Sequence, residues 1–110
     1  MSESDRVRLR HILEASRQAV GFAAGRSRAD LETDLMLQHT LVRLLEIVGE
    51  AAKGVSPAFR GDHKHLPWRE MAGMRDRLIH GYFDVDLDTV WKTVAERLPP
   101  LIQQVEDLLA

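Results

Sequence analysis

Arg75, Asp76, Arg77, His80 and Tyr82 fall within the stretch Arg75-Asp76-Arg77-Leu78-Ile79-His80-Gly81-Tyr82-Phe83. A guanidinium grips a phosphate through its planar fork of N–H donors. An imidazole titrates near neutrality and can give or take a proton. A carboxylate can orient either of them, and a phenol hydroxyl can contact phosphate or accept a modification. The combination suits chemistry at a phosphate ester, with Arg75 as the clamp, His80 as the proton-transfer group and Asp76 as an orienting group.

Each residue also has a plainer reading. Counting from Trp68 on one continuous helix, positions 71, 72, 75, 78 and 79 form an apolar stripe. Arg75 then takes a place where Leu or Met belongs. A guanidinium there must be ion-paired, snorkel, or meet an anionic ligand. His80 can serve as a C-cap imidazole, and Tyr82, the only tyrosine, can pack its ring and hydrogen-bond its hydroxyl. On the preceding long helix Arg43, Glu46 and Glu50 share one face at spacings of three and four. They read either as an exposed charged face or as carboxylates turned toward Arg75. Gly49, between the two glutamates, costs about 1 kcal/mol relative to Ala in a helix interior, which suggests close approach of another helix or backbone. His63-x-His65 lacks a matching acidic or Cys partner, so no metal is expected there.

The elements that must position these groups are helical nearly throughout. Leu9, Ile12, Leu13, Ala19, Val20 and Ala23 share a face behind a cap at Ser4 or Asp5. Gly21 and Gly25 weaken and then end that helix. Ser27-x-x-Asp30 has the pattern of a capping box, so a second helix should start nearby and run through Leu37, Leu41, Leu45, Val48 and Val55. Ser56-Pro57 supplies the cap and first position of a short helical turn, with residues 60–66 as a loop. A third helix should run from Pro67 to Ile79 or His80, with Gly81 just beyond its end. Asp86 should cap a fourth, carrying Leu87, Val90, Trp91, Val94 and Leu98. Pro99-Pro100 should break it before a short fifth helix with Leu101, Val105 and Leu108. The fold expected is all-α: an antiparallel helical bundle of four main helices plus short ones, one domain over residues 1–110.

The formal net charge of −2 gives no global pull toward nucleic acid or anionic lipid. It is unevenly spread: residues 60–82 hold Arg60, Lys64, Arg69, Arg75 and Arg77 against Asp62, Glu70 and Asp76, a local basic patch. The absence of cysteine excludes disulfides, thiolate nucleophiles and Cys-ligated metals. No apolar run approaches the roughly 18–20 residues of a membrane span, and the N-terminus lacks the pattern of a secretory signal. A cytoplasmic protein without cofactor is expected. A chain of 110 residues buries a modest share of its surface, so an oligomer is expected too.

Taken together the residues resemble the HEPN superfamily, and within it the HepT-type toxins. The resemblance rests on Arg75-Asp76-x3-His80 followed by Gly81-Tyr82, on Asp5-Arg6-x3-Arg10-His11-Ile12-Leu13-Glu14, and on Leu45-Glu46-Ile47-Val48-Gly49-Glu50. It continues through Pro67-Trp68-Arg69-Glu70-Met71 and Val85-Asp86-Leu87-Asp88-x2-Trp91, and so covers nearly the whole chain. It implies a HEPN-type bundle, a homodimer and a metal-independent endoribonuclease of a toxin–antitoxin system. It also implies a partner, an MntA-type nucleotidyltransferase antitoxin that silences the toxin by adenylylating the motif tyrosine, here Tyr82. In that reading Arg75, Asp76 and His80 act on RNA at a dimer interface, with Glu46 and Glu50 supporting Arg75. A helical adaptor that binds and regulates a nucleotidyltransferase without catalysis is the other reading.

Overall fold

The computed structural model describes residues 1–79 and 84–110. Its first helix, α1 (Glu3–Ala23), is capped by Ser2, whose hydroxyl accepts the Asp5 N–H at 3.0 Å. The cap is therefore neither Ser4 nor Asp5. Asp5 is instead buried and reaches across the molecule, accepting from the Ser56 N–H and the Ser56 hydroxyl, both at 2.7 Å. Those two bonds, the backbone one foremost, hold its carboxyl below the usual carboxylate range against the opposing cost of burial.

The capping-box segment makes only a four-residue turn, α2 (Asp30–Thr33), with Asp30 accepting from the Ser27 N–H. The long helix α3 (Leu35–Gly54) starts later than its pattern suggested, because extended Asp34 caps it by accepting from the Leu37 N–H. Arg26 joins Asp30 and Asp34 across this turn. The Asp5–Ser56 bonds place the start of α1 beside the end of α3, so the two helices run antiparallel. Ser56 caps α4 (Pro57–Asp62), which extends into the segment expected as loop.

The third rod is divided. α5 (Trp68–Ala72) and α6 (Met74–Leu78) meet at Gly73. The fourth rod keeps going where a break was expected. Asp86 caps α7 (Leu87–Lys92), a π-helical turn spans Thr93–Arg97, and α8 (Leu98–Leu109) follows directly. Pro99 and Pro100 occupy the first turn of α8, where their missing N–H groups matter least. Their rings would collide with carbonyls four residues back in an α-turn, and the wider π-turn relieves this without ending the rod. Arg17–Glu106 and Arg28–Asp88 ion pairs set this rod antiparallel to α1. Leu9, Ile12, Leu41, Leu45, Val94 and Leu98 form the centre of the shared core. The architecture is the all-α bundle expected. Among the described residues no helix is long and apolar enough to cross a membrane.

Candidate active site

The face of α3 that meets the divided rod is shaped by a missing side chain. A Cβ on Gly49 would lie 2.8 Å from the Met71 carbonyl oxygen and 3.4 Å from the Met74 Cβ. Gly49 thus lets α3 seat directly against the α5–α6 junction, the close approach its place in the helix implied. Trp68, Met71, Met74 and Leu78 turn inward on α5 and α6. Trp68 also donates its indole N–H to the His63 carbonyl at 2.8 Å.

This inward row corrects the sequence reading of Arg75. The buried series is 68, 71, 74 and 78, so Met74 holds the core position and Arg75 stands beside it, outside. Its side chain is 63 % exposed. Burial therefore does not force a ligand or partner on Arg75. Its Nε lies 3.8 Å from Glu46 Oε2, and the Glu46 side chain is 25 % exposed. Such a long, open pair is worth about 0–1 kcal/mol, leaving most of the guanidinium fork available. Glu50 does not join it; its carboxylate lies 3.7 Å from Lys53 on its own helix. Asp76 and Arg77 are exposed, and among the described residues Asp76 has no hydrogen-bond or ion-pair partner.

The end of α6 is fixed by contacts that the sequence reading missed. The Ile79 N–H donates to the Arg75 carbonyl, the last bond of the helix. Ile79 then turns extended and pairs antiparallel with Val85. The Asp86 N–H donates to the Leu78 carbonyl at 2.8 Å, while the Asp86 carboxylate caps α7. Ile79 and Val85, a few residues from Arg75 in sequence, are thereby brought side by side. His80, Gly81 and Tyr82 themselves lie outside the described residues, and with them the expectations of a C-cap histidine and a helix-ending Gly81. Two β-branched residues flanking a short Gly-containing stretch, Ile79 and Val85, were the available signal for this closure.

The other histidine pair has a packing role. The His63 ring lies 4.2 Å from that of Phe59, centroid to centroid, and Phe59 meets Trp68 edge-on at 6.4 Å. His65 sits 6.0 Å from His63, and its carbonyl accepts from Gln104. Among the described residues no cluster of three or more His, Asp or Glu side chains is suited to hold a metal ion.

Residues 12–108 match the family described as "Ribonuclease HepT-like". A relative from Thermococcus cleftensis named "Probable ribonuclease HepT" is 42% identical over 108 residues, 98% of each chain. One from Caldanaerobacter subterraneus subsp. tengcongensis, named "Putative RNase", is 42% identical over 101 residues, covering 92% of this chain and 90% of its own. A Methanocaldococcus jannaschii protein named "Gamma-glutamylcyclotransferase and putative RNase" is 36% identical over 105 residues; the match spans 96% of this chain but 47% of that protein. No solved structure matches the chain.

Proposed function

We propose, on the premise that the chain belongs to the Ribonuclease HepT-like family, that it is an endoribonuclease whose reaction centres on Arg75 and His80. The observation that carries this reading is the outward display of Arg75: 63 % exposed and held only loosely by Glu46.

Metal-independent cleavage of RNA needs three things. The 2′-hydroxyl must lose its proton as its oxygen attacks the adjacent phosphorus, the charge on the phosphorane must be stabilised, and the departing 5′-oxygen must gain a proton. In this reading Arg75 stabilises the phosphorane oxygens through its N–H fork, and Glu46 biases the guanidinium only weakly. His80 moves the proton, and Asp76 orients its neighbours. One chain supplies a single motif histidine, so a homodimer that faces two motifs toward each other provides both an acid and a base.

The same reading includes an off-switch. Transfer of an adenylyl group from ATP to the Tyr82 hydroxyl, with pyrophosphate leaving, would place a bulky anion two residues from His80. Substrate phosphate would then be excluded by volume and by charge. A nucleotidyltransferase antitoxin is the enzyme this reading calls for.

The test is cleavage of RNA by the purified chain in excess chelator, with product ends identified. Formation of 2′,3′-cyclic phosphate termini by the wild-type chain, lost in His80→Ala, is the expected result. Cleavage that survives His80→Ala would remove the motif from the reaction. No cleavage at all, with binding of the nucleotidyltransferase retained, would favour the adaptor.

A further inference from the structure

On the opposite side of α6 from Arg75 lies a groove of about 600 Å³, walled by α5–α6 on one side and by the α7–π–α8 rod on the other. Its volume falls within the ~300–1,000 Å³ range of sites that hold a small ligand or part of one. The floor is apolar, made by buried Met71, Met74, Leu98 and Leu101. Arg77, Lys92 and Arg97 stand on its rim, all exposed, and among the described residues none is in an ion pair. The basic segment at 60–82 thus meets two further cations from the fourth rod. Two rim carboxylates, Glu70 and Glu96, are likewise exposed and unpaired.

We propose that this groove is a second contact site for single-stranded RNA, so that the strand is held on both sides of α6. The inference rests on the ribonuclease reading above and adds a place to it. Arg75 and Arg77 are two residues apart on one helix, hence roughly 200° apart around an axis only ~10–12 Å in overall diameter. A strand whose scissile phosphate meets Arg75 can cross the short, five-residue α6 and lay a nucleotide a few positions along in the groove. Phosphates then meet Arg77, Lys92 and Arg97. The base lies on the sulfur-rich floor, and polarizable thioethers suit a π face of any base. Glu70 and Glu96 repel phosphate, but they can accept from the exocyclic amino groups of a base. Glu70 shares the α5–α6 wall with Arg77, and Glu96 shares the opposite wall with Lys92 and Arg97. A rim that carries both signs with cations in excess can meet the phosphates and the base edges of one nucleotide. The π-turn contributes Thr93, Glu96 and Arg97 to the wall, so the accommodation of Pro99-Pro100 also shapes the groove.

The test uses the full chain carrying His80→Ala, so that RNA is bound without being cut. Binding of a labelled single-stranded RNA of about ten nucleotides is measured across a salt series, with and without Lys92→Ala and Arg97→Ala together. These two residues lie outside the Arg75–Tyr82 motif. The expected result is a rise in Kd of about tenfold and a salt slope lower by about 1.4, the value for two lost contacts on a single strand, at an unchanged melting temperature. In the otherwise wild-type chain the same pair should raise KM and leave kcat unaltered. An unchanged Kd and salt slope would overturn the groove, while chelator-resistant cleavage by the intact chain would leave the ribonuclease reading standing. Retained RNA affinity with lost binding of the nucleotidyltransferase would also overturn it, and would make the groove a protein-docking face. Neither RNA binding nor cleavage by the intact chain would overturn both readings together.

Discussion

The paired helices α1 and α3 and the divided rod α5–α6 are built to opposite standards. α1 and α3 are each about twenty residues long, share the deepest core, and are locked together at one end by the partly buried Asp5–Ser56 bonds. α5 and α6 are five residues each, too short to be stable alone. They are held by a single inward row, by the seat at Gly49 and by the closure between Ile79 and Val85. Arg75 is on the second kind of structure. The difference teaches where activity and stability separate: the frame sets how much protein is folded, and the arm sets where the guanidinium stands.

The strongest way to press this comparison is to damage the frame. Leu45→Ala removes a fully buried side chain from α3 and should cost about 2–5 kcal/mol. Read by chemical denaturation, that loss should be accompanied by RNA cleavage that falls only as the folded fraction falls. Next comes Asp5→Ala, which leaves the Ser56 donors without their anion and should cost about 1.5–3 kcal/mol near neutral pH. The sign of its pH dependence follows from the depressed carboxyl. The stabilisation is complete above the unfolded value near ~4 and is lost as pH falls through the lower folded value. The stability gap between wild type and Asp5→Ala should therefore be constant from neutral pH down to about 5 and close in more acid solution.

Two smaller changes address the arm. Gly49→Ala gains up to about 1 kcal/mol of helix propensity, yet its methyl group would press on the Met71 carbonyl at 2.8 Å. The seat has to open, so cleavage should drop by more than tenfold while stability falls by no more than about 2 kcal/mol, the overpacking cost less the propensity gain. Equal losses in both would show that the arm is as firmly built as the frame. Glu46→Gln removes the charge opposite Arg75 and should move stability by well under ~1 kcal/mol, with a few-fold change in cleavage at most.

How much of this could be read from the sequence depended on range. The long stripes of α1 and α3, the caps at Ser56 and Asp86, and the close approach at Gly49 follow from periodicity and propensity within one element. The inward row of the third rod did not. Over twelve residues the series 71, 72, 75, 78, 79 and the series 68, 71, 74, 78 both fit a helical repeat, and only the interruption at Gly73 decides between them. The prolines misled for a related reason. Their effect on one α-turn is certain, but an upstream turn can widen to absorb it. The Asp5–Ser56 lock joins residues 51 positions apart, and no local pattern reports such a pairing.

In the proposed reading Arg75 is displayed for chemistry and contributes little to folding. Arg75→Ala separates the two when melting temperature and RNA cleavage rate are measured on the same preparation. The expected result is an unchanged melting temperature, within the small worth of an exposed pair with Glu46, and cleavage reduced at least a hundredfold. A substantial fall in melting temperature, or cleavage at the wild-type rate, would contradict it.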